Sequence, residues 1–256
     1  MVAVIDTHCH LDLPAFDADR EAALARAAGA GVRVVVVPAI RPATWPTLAA
    51  LARRHPELRV AFGIHPQIVA ALPEAERTVD GLADALAAGA VAVGECGLDG
   101  GAPEPAEQER LFRAQIRVAR EVGRPLLVHV LRAHDAARRI LAEERAGDVG
   151  GILHSYSGGA DLVPVYRDLG FAFSFAGPVT YAGSRRPVAA ARAVPAPLLC
   201  AETDAPDQAP EPHRGRRSEP AFLVEVVAGL ARARGEAVAD TAALTTANAR
   251  RILRVD

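Results

Sequence analysis

What most constrains this chain is a rhythm. Eight times along its 256 residues a short apolar run ends in a polar or glycine-bearing cluster and gives way to a helical segment. The runs are Val2 to Ile5, Val32 to Val37, Leu58 to Phe62, Val91 to Val93, Leu126 to Val128, Gly151 to Leu153, Phe171 to Phe175 and Leu198 to Ala201. Apart from Arg33, Arg59 and Ser174 these runs are apolar at alternate and intervening positions alike, which marks strands buried on both faces of a parallel sheet. Helices are expected over 17–28, 42–55 and 78–88, then from the loop Gly100 to Pro105 through Val122, and over 133–146, up to Leu169, 187–193, 219–234 and about 241–253. The clearest is the one ending at Val122, where Leu111, Phe112, Ile116, Ala119 and Val122 form an apolar stripe at helical spacing. Eight strand–helix units in a chain of this length close most simply into a (β/α)8 TIM barrel, with a doubly wound open sheet as the alternative. No linker or low-complexity stretch divides the chain, so residues 1–256 are expected to form one domain.

Composition narrows the chemistry. The net charge of −2 exerts no global pull on nucleic acid or acidic membrane, so any anionic substrate must be held locally. All 29 basic residues are arginine. Without a lysine there is no Schiff base, no P-loop and no carbamylated-lysine metal bridge, which leaves a carboxylate to do any bridging. Cys9, Cys96 and Cys200 make no paired framework, and Cys9 and Cys96 read as small core residues rather than ligands. No charged n-region precedes the first strand and no apolar run is long enough to span a bilayer, so a reduced cytoplasmic setting without a membrane partner is expected.

The polar residues take their places from those strands. In Asp6-Thr7-His8-Cys9-His10, residues two apart in an extended chain point the same way, so His8 and His10 aim at one place. Glu95 follows the fourth run, His129 the fifth, His154 the sixth and Asp204 the eighth. All are expected at strand C-terminal ends, the face where barrel active sites form. Singly, each could be a hydrogen-bonded histidine or a helix cap. Together they are four imidazoles and two carboxylates, too many for one tetrahedral ion. They suit two ions ~3.5–4 Å apart, with His8, His10 and Asp204 on one, His129 and His154 on the other, and Glu95 bridging. The nitrogen-rich set favours Zn²⁺, Mn²⁺ or another first-row ion over Mg²⁺. Asp6 is expected behind the ligands rather than among them.

The ordered motifs DTHCHLD at 6–12, GIHP at 63–66, GECGLD at 94–99, PLLVH at 125–129, ILHSYSGG at 152–159 and ETDAP at 202–206, with TANARRIL at 246–253, resemble those of the TatD-related metal-dependent deoxyribonucleases, a branch of the amidohydrolase superfamily. The resemblance runs from first strand to last helix. It implies a TIM barrel with two divalent ions on residues matching His8, His10, Glu95, His129, His154 and Asp204. It also implies phosphodiester hydrolysis, commonly as a 3′-to-5′ exonuclease on DNA. The chain departs from the pattern in places. Leu131 stands where members often carry Arg, with Arg132 one residue on; Arg217-Ser218-Glu219-Pro220 replaces RNEP; and Tyr156 replaces Phe.

The mechanism expected on this basis is attack of a metal-bound hydroxide on phosphorus, with Asp204 orienting the water and taking its proton. His65 reads either as a contact to a phosphate oxygen or as a hydrogen-bonded structural histidine. Arg132 and the loop His213-Arg214-Gly215-Arg216-Arg217 are candidate phosphate contacts, although charge-rich loops are commonly just solvated. Trp45 is either core or a base-stacking platform, and aromatics at 4% of residues argue against an extensive platform. Two rival functions remain. One is an esterase or amidase on the same centre, for example an aminoacyl-tRNA deacylase; the other is a non-catalytic binding protein on a retained barrel. The sequence leaves the oligomeric state open, a monomer being one option.

Overall fold

The first strand is short. β1 spans Val4–Asp6, and Val2 lies outside residues 3–255, which the computed structural model of the chain describes. The other strands are β2 (Val32–Pro38), β3 (Leu58–Phe62), β4 (Ala92–Asp99), β5 (Leu126–Leu131), β6 (Gly151–Leu153), β7 (Phe171–Phe175) and β8 (Leu199–Ala201). They form one eight-stranded parallel sheet in sequence order, and β8 returns to β1 where Thr7 N–H donates to Ala201 O at 3.2 Å. With helices α1 (Arg20–Ala30), α2 (Trp45–Arg54), α3 (Leu82–Ala87), α4 (Pro105–Val122), α5 (His134–Glu143), α6 (Val163–Asp168), α7 (Arg185–Ala193), α8 (Leu223–Arg234) and α9 (Val238–Leu253) following the strands, this is the (β/α)8 barrel.

Two compact units partition the chain. The first comprises Met1–Val37, Ser155–Val163 and Phe173–Asp256. In it β1 pairs with β2 through Ile5 and Val34, and β7 pairs with β8 through Ser174 and Cys200. Its interior is filled by Phe16, Phe173, Phe175, Leu223, Val226, Leu230 and Leu253, all buried. Tyr156 is buried too, edge-on to Phe173, and its hydroxyl donates to Gly159 O at 2.9 Å, a bond that Phe could not make.

The second unit comprises Pro38–His154 and Pro164–Ala172. Here α4 lays Leu111, Phe112, Ile116 and Ala119 into the core as its stripe predicts, and such burial contributes ~1.5–3 kcal/mol for each large side chain. Val122, in the last turn, is half-exposed. Trp45 is core: it is buried, tilts against Phe62 at 6.1 Å, and its indole N–H donates to Gly63 O at 3.2 Å.

One boundary differs from expectation in a way that matters for the site. The glycines of Gly94-Glu95-Cys96-Gly97 read as the end of the fourth strand, yet β4 runs on to Asp99. The pairs Cys96↔Val128, Gly97↔His129 and Asp99↔Leu131 continue the ladder past a bulge after Val93. Gly97 is required there: its φ of 137° is left-handed, and a Cβ would collide with His129 O. Glu95 therefore stands within its strand, and Asp99 is the residue at the strand's end. The three cysteines are free and buried, and burial pushes their thiols up, Cys200 to about 12. Among the described residues no helix is long and apolar enough to cross a membrane.

Candidate metal centre

In the first unit the β1 and β8 ends are tied together residue by residue. Asp6 is buried and accepts from Thr203 N–H at 3.0 Å, Thr203 O–H at 2.6 Å and His8 N–H at 3.3 Å. Burial pushes its carboxyl up to about 8, against the pull of those three bonds. Both Asp6 oxygens are thus engaged by the β1 and β8 ends.

This clamp fixes the histidines beyond β1 and the carboxylate beyond β8. His8 Nε2 and His10 Nε2 lie 3.3 Å apart, and Asp204 Oδ1 lies 3.9 Å from the first and 3.8 Å from the second. Asp204 has a left-handed φ of 54°, and its N–H donates to His8 O at 2.9 Å, so its carboxylate turns toward the histidines. Its other oxygen, Oδ2, accepts from the Gln208 side-chain amide, which also donates to Ser155 Oγ at 2.7 Å. Ser155 N–H in turn donates to the buried Glu202 at 2.5 Å.

The second unit carries the other set. Glu95 Oε1, fully buried, lies 2.8 Å from His154 Nε2, 3.1 Å from His129 Nδ1 and 2.8 Å from His65 Nε2. His129 Nδ1 and His154 Nε2 are 3.1 Å apart. On the far side of the ring, His129 Nε2 meets Asp99 Oδ2 at 3.3 Å. Asp99 also accepts from the Gln67 amide at 2.6 Å and from Gly101 N–H at 2.7 Å. The hydrogen bond from His129, with those from Gln67 and Gly101, holds the Asp99 carboxyl well below the usual carboxylate range. Burial works to lower the His129 pKa, but Asp99 and Glu95 outweigh it and raise it.

Two glutamines of α4, seven residues apart on its buried face, set these loops. Gln115 Oε1 accepts from Ile64 N–H at 2.7 Å, fixing the approach to His65, and Gln108 Oε1 accepts from Asp99 N–H at 2.8 Å. Neither stood out beside the apolar stripe, although a polar residue at the spacing of a buried face is a readable signal. Sequence does not single out Asp99 or Glu202 either, since both sit inside the motifs GECGLD and ETDAP next to more conspicuous residues.

The donor geometry fits a metal. Two ligand atoms ~2.0–2.1 Å from one tetrahedral ion lie roughly 3.4 Å from each other. The His8–His10 separation matches that edge, and the Glu95, His129 and His154 donors are mutually 2.8–3.1 Å apart. His65, Glu95 and His129 also gather within 4.8 Å. His65 Nδ1, however, accepts from Gln67 N–H at 3.1 Å, which places its proton on Nε2, where it is donated to Glu95. His65 thus has no lone pair aimed at an ion and serves as a donor to the carboxylate. Arg132 directly follows β5 with a left-handed φ of 52°; it is exposed, beside the Gly100-Gly101 turn, and makes no ion pair among the described residues. Arg217 is not a free cation: it is bidentate to Asp19 at 2.6 and 2.8 Å and lies over the Phe16 ring.

A parallel barrel with imidazole and carboxylate donors at its strand ends has the build of a metal-dependent hydrolase. The chain belongs to the TatD related DNase family, whose model matches residues 5–254. It is 34% identical over 258 residues to the Bacillus subtilis protein named uncharacterized metal-dependent hydrolase YabD, covering 99% of this chain and 100% of that one. It is 33% identical over 263 residues to the Salmonella typhimurium 3′-5′ ssDNA/RNA exonuclease TatD, covering 98% of this chain and 99% of the relative. Among solved structures, the TatD homologue YjjV of Escherichia coli K12 superposes with a TM-score of 0.92 at 31% identity, covering 99% of this chain and 98% of that one.

Proposed function

We propose that residues 1–256 act as one hydrolase domain that cleaves phosphodiesters of single-stranded nucleic acid from the 3′ end, using two divalent ions. His8, His10 and Asp204 would hold one ion, His129 and His154 the other, and Glu95 would bridge. The observation that carries this reading is the donor set itself, in which two groups of imidazole and carboxylate atoms are spaced as ligands of one ion are. When bound, such ions lower the pKa of water and neutralise phosphate charge. The exonuclease named in Salmonella typhimurium supports the substrate class.

The chain's own groups supply the rest. Asp204, whose Oδ1 faces the two histidines while the Gln208 amide pins Oδ2, would orient the attacking water and take its proton. His65, protonated on Nε2, holds Glu95 Oε1 in its line with His129 and His154. Arg132, exposed at the end of β5 and without an ion pair among the described residues, takes the phosphate contact that Leu131 cannot make.

Metal analysis of the purified protein, with hydrolysis of 3′- and 5′-labelled single strands by wild type and Glu95→Ala, tests the reading. Metal-dependent release from the 3′ end, lost in Glu95→Ala together with much of the metal, is expected. Bound metal without cleavage of any strand would remove the nuclease and leave a hydrolase of carboxylic esters or amides. Full turnover by the variant would remove the bridge.

A further inference from the structure

The first unit carries a cluster of cations that the chemistry above does not use. Arg185 and Arg186 open α7, and Arg214 and Arg216 lie on the loop between β8 and α8; all four are exposed. Many arginines of the other unit's helices are neutralised: Arg113 and Arg117 pair with Glu144, and Arg120 with Asp148. By contrast Arg185, Arg186 and Arg216 make no ion pair among the described residues, and Arg214 meets only Glu211, at 3.6 Å.

The two segments that bear these arginines are fastened to each other. Thr180 Oγ1 accepts from Glu211 N–H at 2.9 Å and donates to Gly177 O at 2.6 Å. The Tyr181 hydroxyl donates to Ala209 O at 2.8 Å, and Arg214 lies over the Tyr181 ring, 4.5 Å from its centre. His213 stacks flat on Phe222 with ring centres 3.7 Å apart. Gly177 packs so closely on Gln208 O that no side chain would fit there. This same loop carries Asp204 near its start, gripped by Gln208. Exposed guanidinium groups thus stand on a rigid mount that is continuous with the proposed centre, in a protein whose net charge is −2.

We propose that Arg185, Arg186, Arg214 and Arg216 form a track for the sugar–phosphate backbone of a single strand whose 3′ end is at the centre. The track deepens the nuclease reading and rests on it for the placement of that end. Guanidinium forks match phosphate oxygens two by two, and a half-buried tyrosine backed by Arg214 offers a ring face to a base. Among the described residues Glu211 is the one carboxylate that pairs with any of the four, which leaves the arginines in excess.

The test separates holding from cutting. Full-length protein kept metal-free with EDTA is titrated against a fluorescein-labelled oligothymidylate of about twenty residues by anisotropy, at several salt concentrations. The variants are the pairs Arg185→Gln/Arg186→Gln and Arg214→Gln/Arg216→Gln, each checked for an unchanged melting temperature. Each pair is expected to weaken binding about tenfold or more at low salt, and to flatten log Kd against log salt by about 0.7 for each phosphate no longer neutralised. The two pairs keep the test independent, since a pair that fails to fold leaves the other to be read. Wild-type affinity and salt slope in the variants would overturn the track, as would absence of strand binding by wild type alongside capture by phosphatidylserine vesicles. Hydrolysis of bis(p-nitrophenyl) phosphate by the metal-loaded protein reports on the centre alone. Turnover of that ester with unaltered strand binding in the variants sinks the track and spares the nuclease; the reverse result does the opposite.

Discussion

The two nitrogens of His129 have different partners, and the difference assigns a role to Asp99. Nδ1 faces Glu95 and His154, whereas Nε2 faces the Asp99 carboxylate at 3.3 Å. A carboxylate on the outer nitrogen fixes the tautomer, leaves the inner lone pair for an ion and makes the ring a stronger donor. Asp99 is itself held by Gln67 and Gly101, so it cannot swing away. Asp99→Asn keeps the size and removes the charge; it is expected to weaken metal binding about 10–100-fold with little change in fold. Competition with a chromogenic chelator measures this, and unchanged affinity would make Asp99 a loop fastener only. At this scale the candidate ligands were legible because each lies in a short motif directly behind an apolar run. Asp99, Gln67, Gln108 and Gln115 were not, since their roles depend on side-chain directions that spacing does not reveal.

At the scale of elements, Arg217 and Glu219, which flank the departing Ser218, have a structural use. Arg217 grips Asp19 at the start of α1, and Arg26 of α1 bridges Asp19 at 2.9 Å and Glu219 at 2.8 and 2.7 Å. The loop from β8 is thereby fastened to α1. Bonds from Arg217 and Arg26 hold the Asp19 carboxyl well below its ordinary 3.8. A carboxyl depressed on folding stabilises the fold fully above its unfolded value and loses that contribution as pH falls toward the folded one. The melting temperature of wild type should therefore exceed that of Asp19→Asn near neutral pH, with the gap narrowing progressively below about pH 4. A gap independent of pH would mean that packing, not charge, is at work. Element type and order were readable from the chain, but several ends were not. Helices expected from Pro42 and Glu219 start at Trp45 and Leu223, each behind a 3-10 turn opened by a proline, Pro42–Thr44 and Pro220–Phe222. Glycines read as the end of β4 instead let it lie close against β5, a choice made by the neighbouring strand rather than by local propensity.

For the molecule as a whole, metal removal distinguishes a centre that holds two ions from one that holds a single ion. Ions that bind only the folded chain stabilise it by about 2.7 kcal/mol at a hundred times Kd, and for a chain of this length ~1 kcal/mol shifts the melting temperature by roughly 2–4 °C. Stripping with EDTA should therefore lower the melting temperature by roughly 5–10 °C, and Zn²⁺ or Mn²⁺ should restore it in a concentration-dependent way. The donors lie in two groups, so the variants should separate. His8→Ala/His10→Ala removes most of one group and leaves His129, His154 and Glu95 intact. Metal content should then fall from two ions per chain to one, with only part of the thermal response lost. Glu95→Ala, taking the carboxylate that three imidazoles surround, should depress both binding steps. If wild type binds one ion per chain and His8→Ala/His10→Ala retains it, Glu95 bridges nothing, and the chemistry must be rebuilt around His129 and His154 alone.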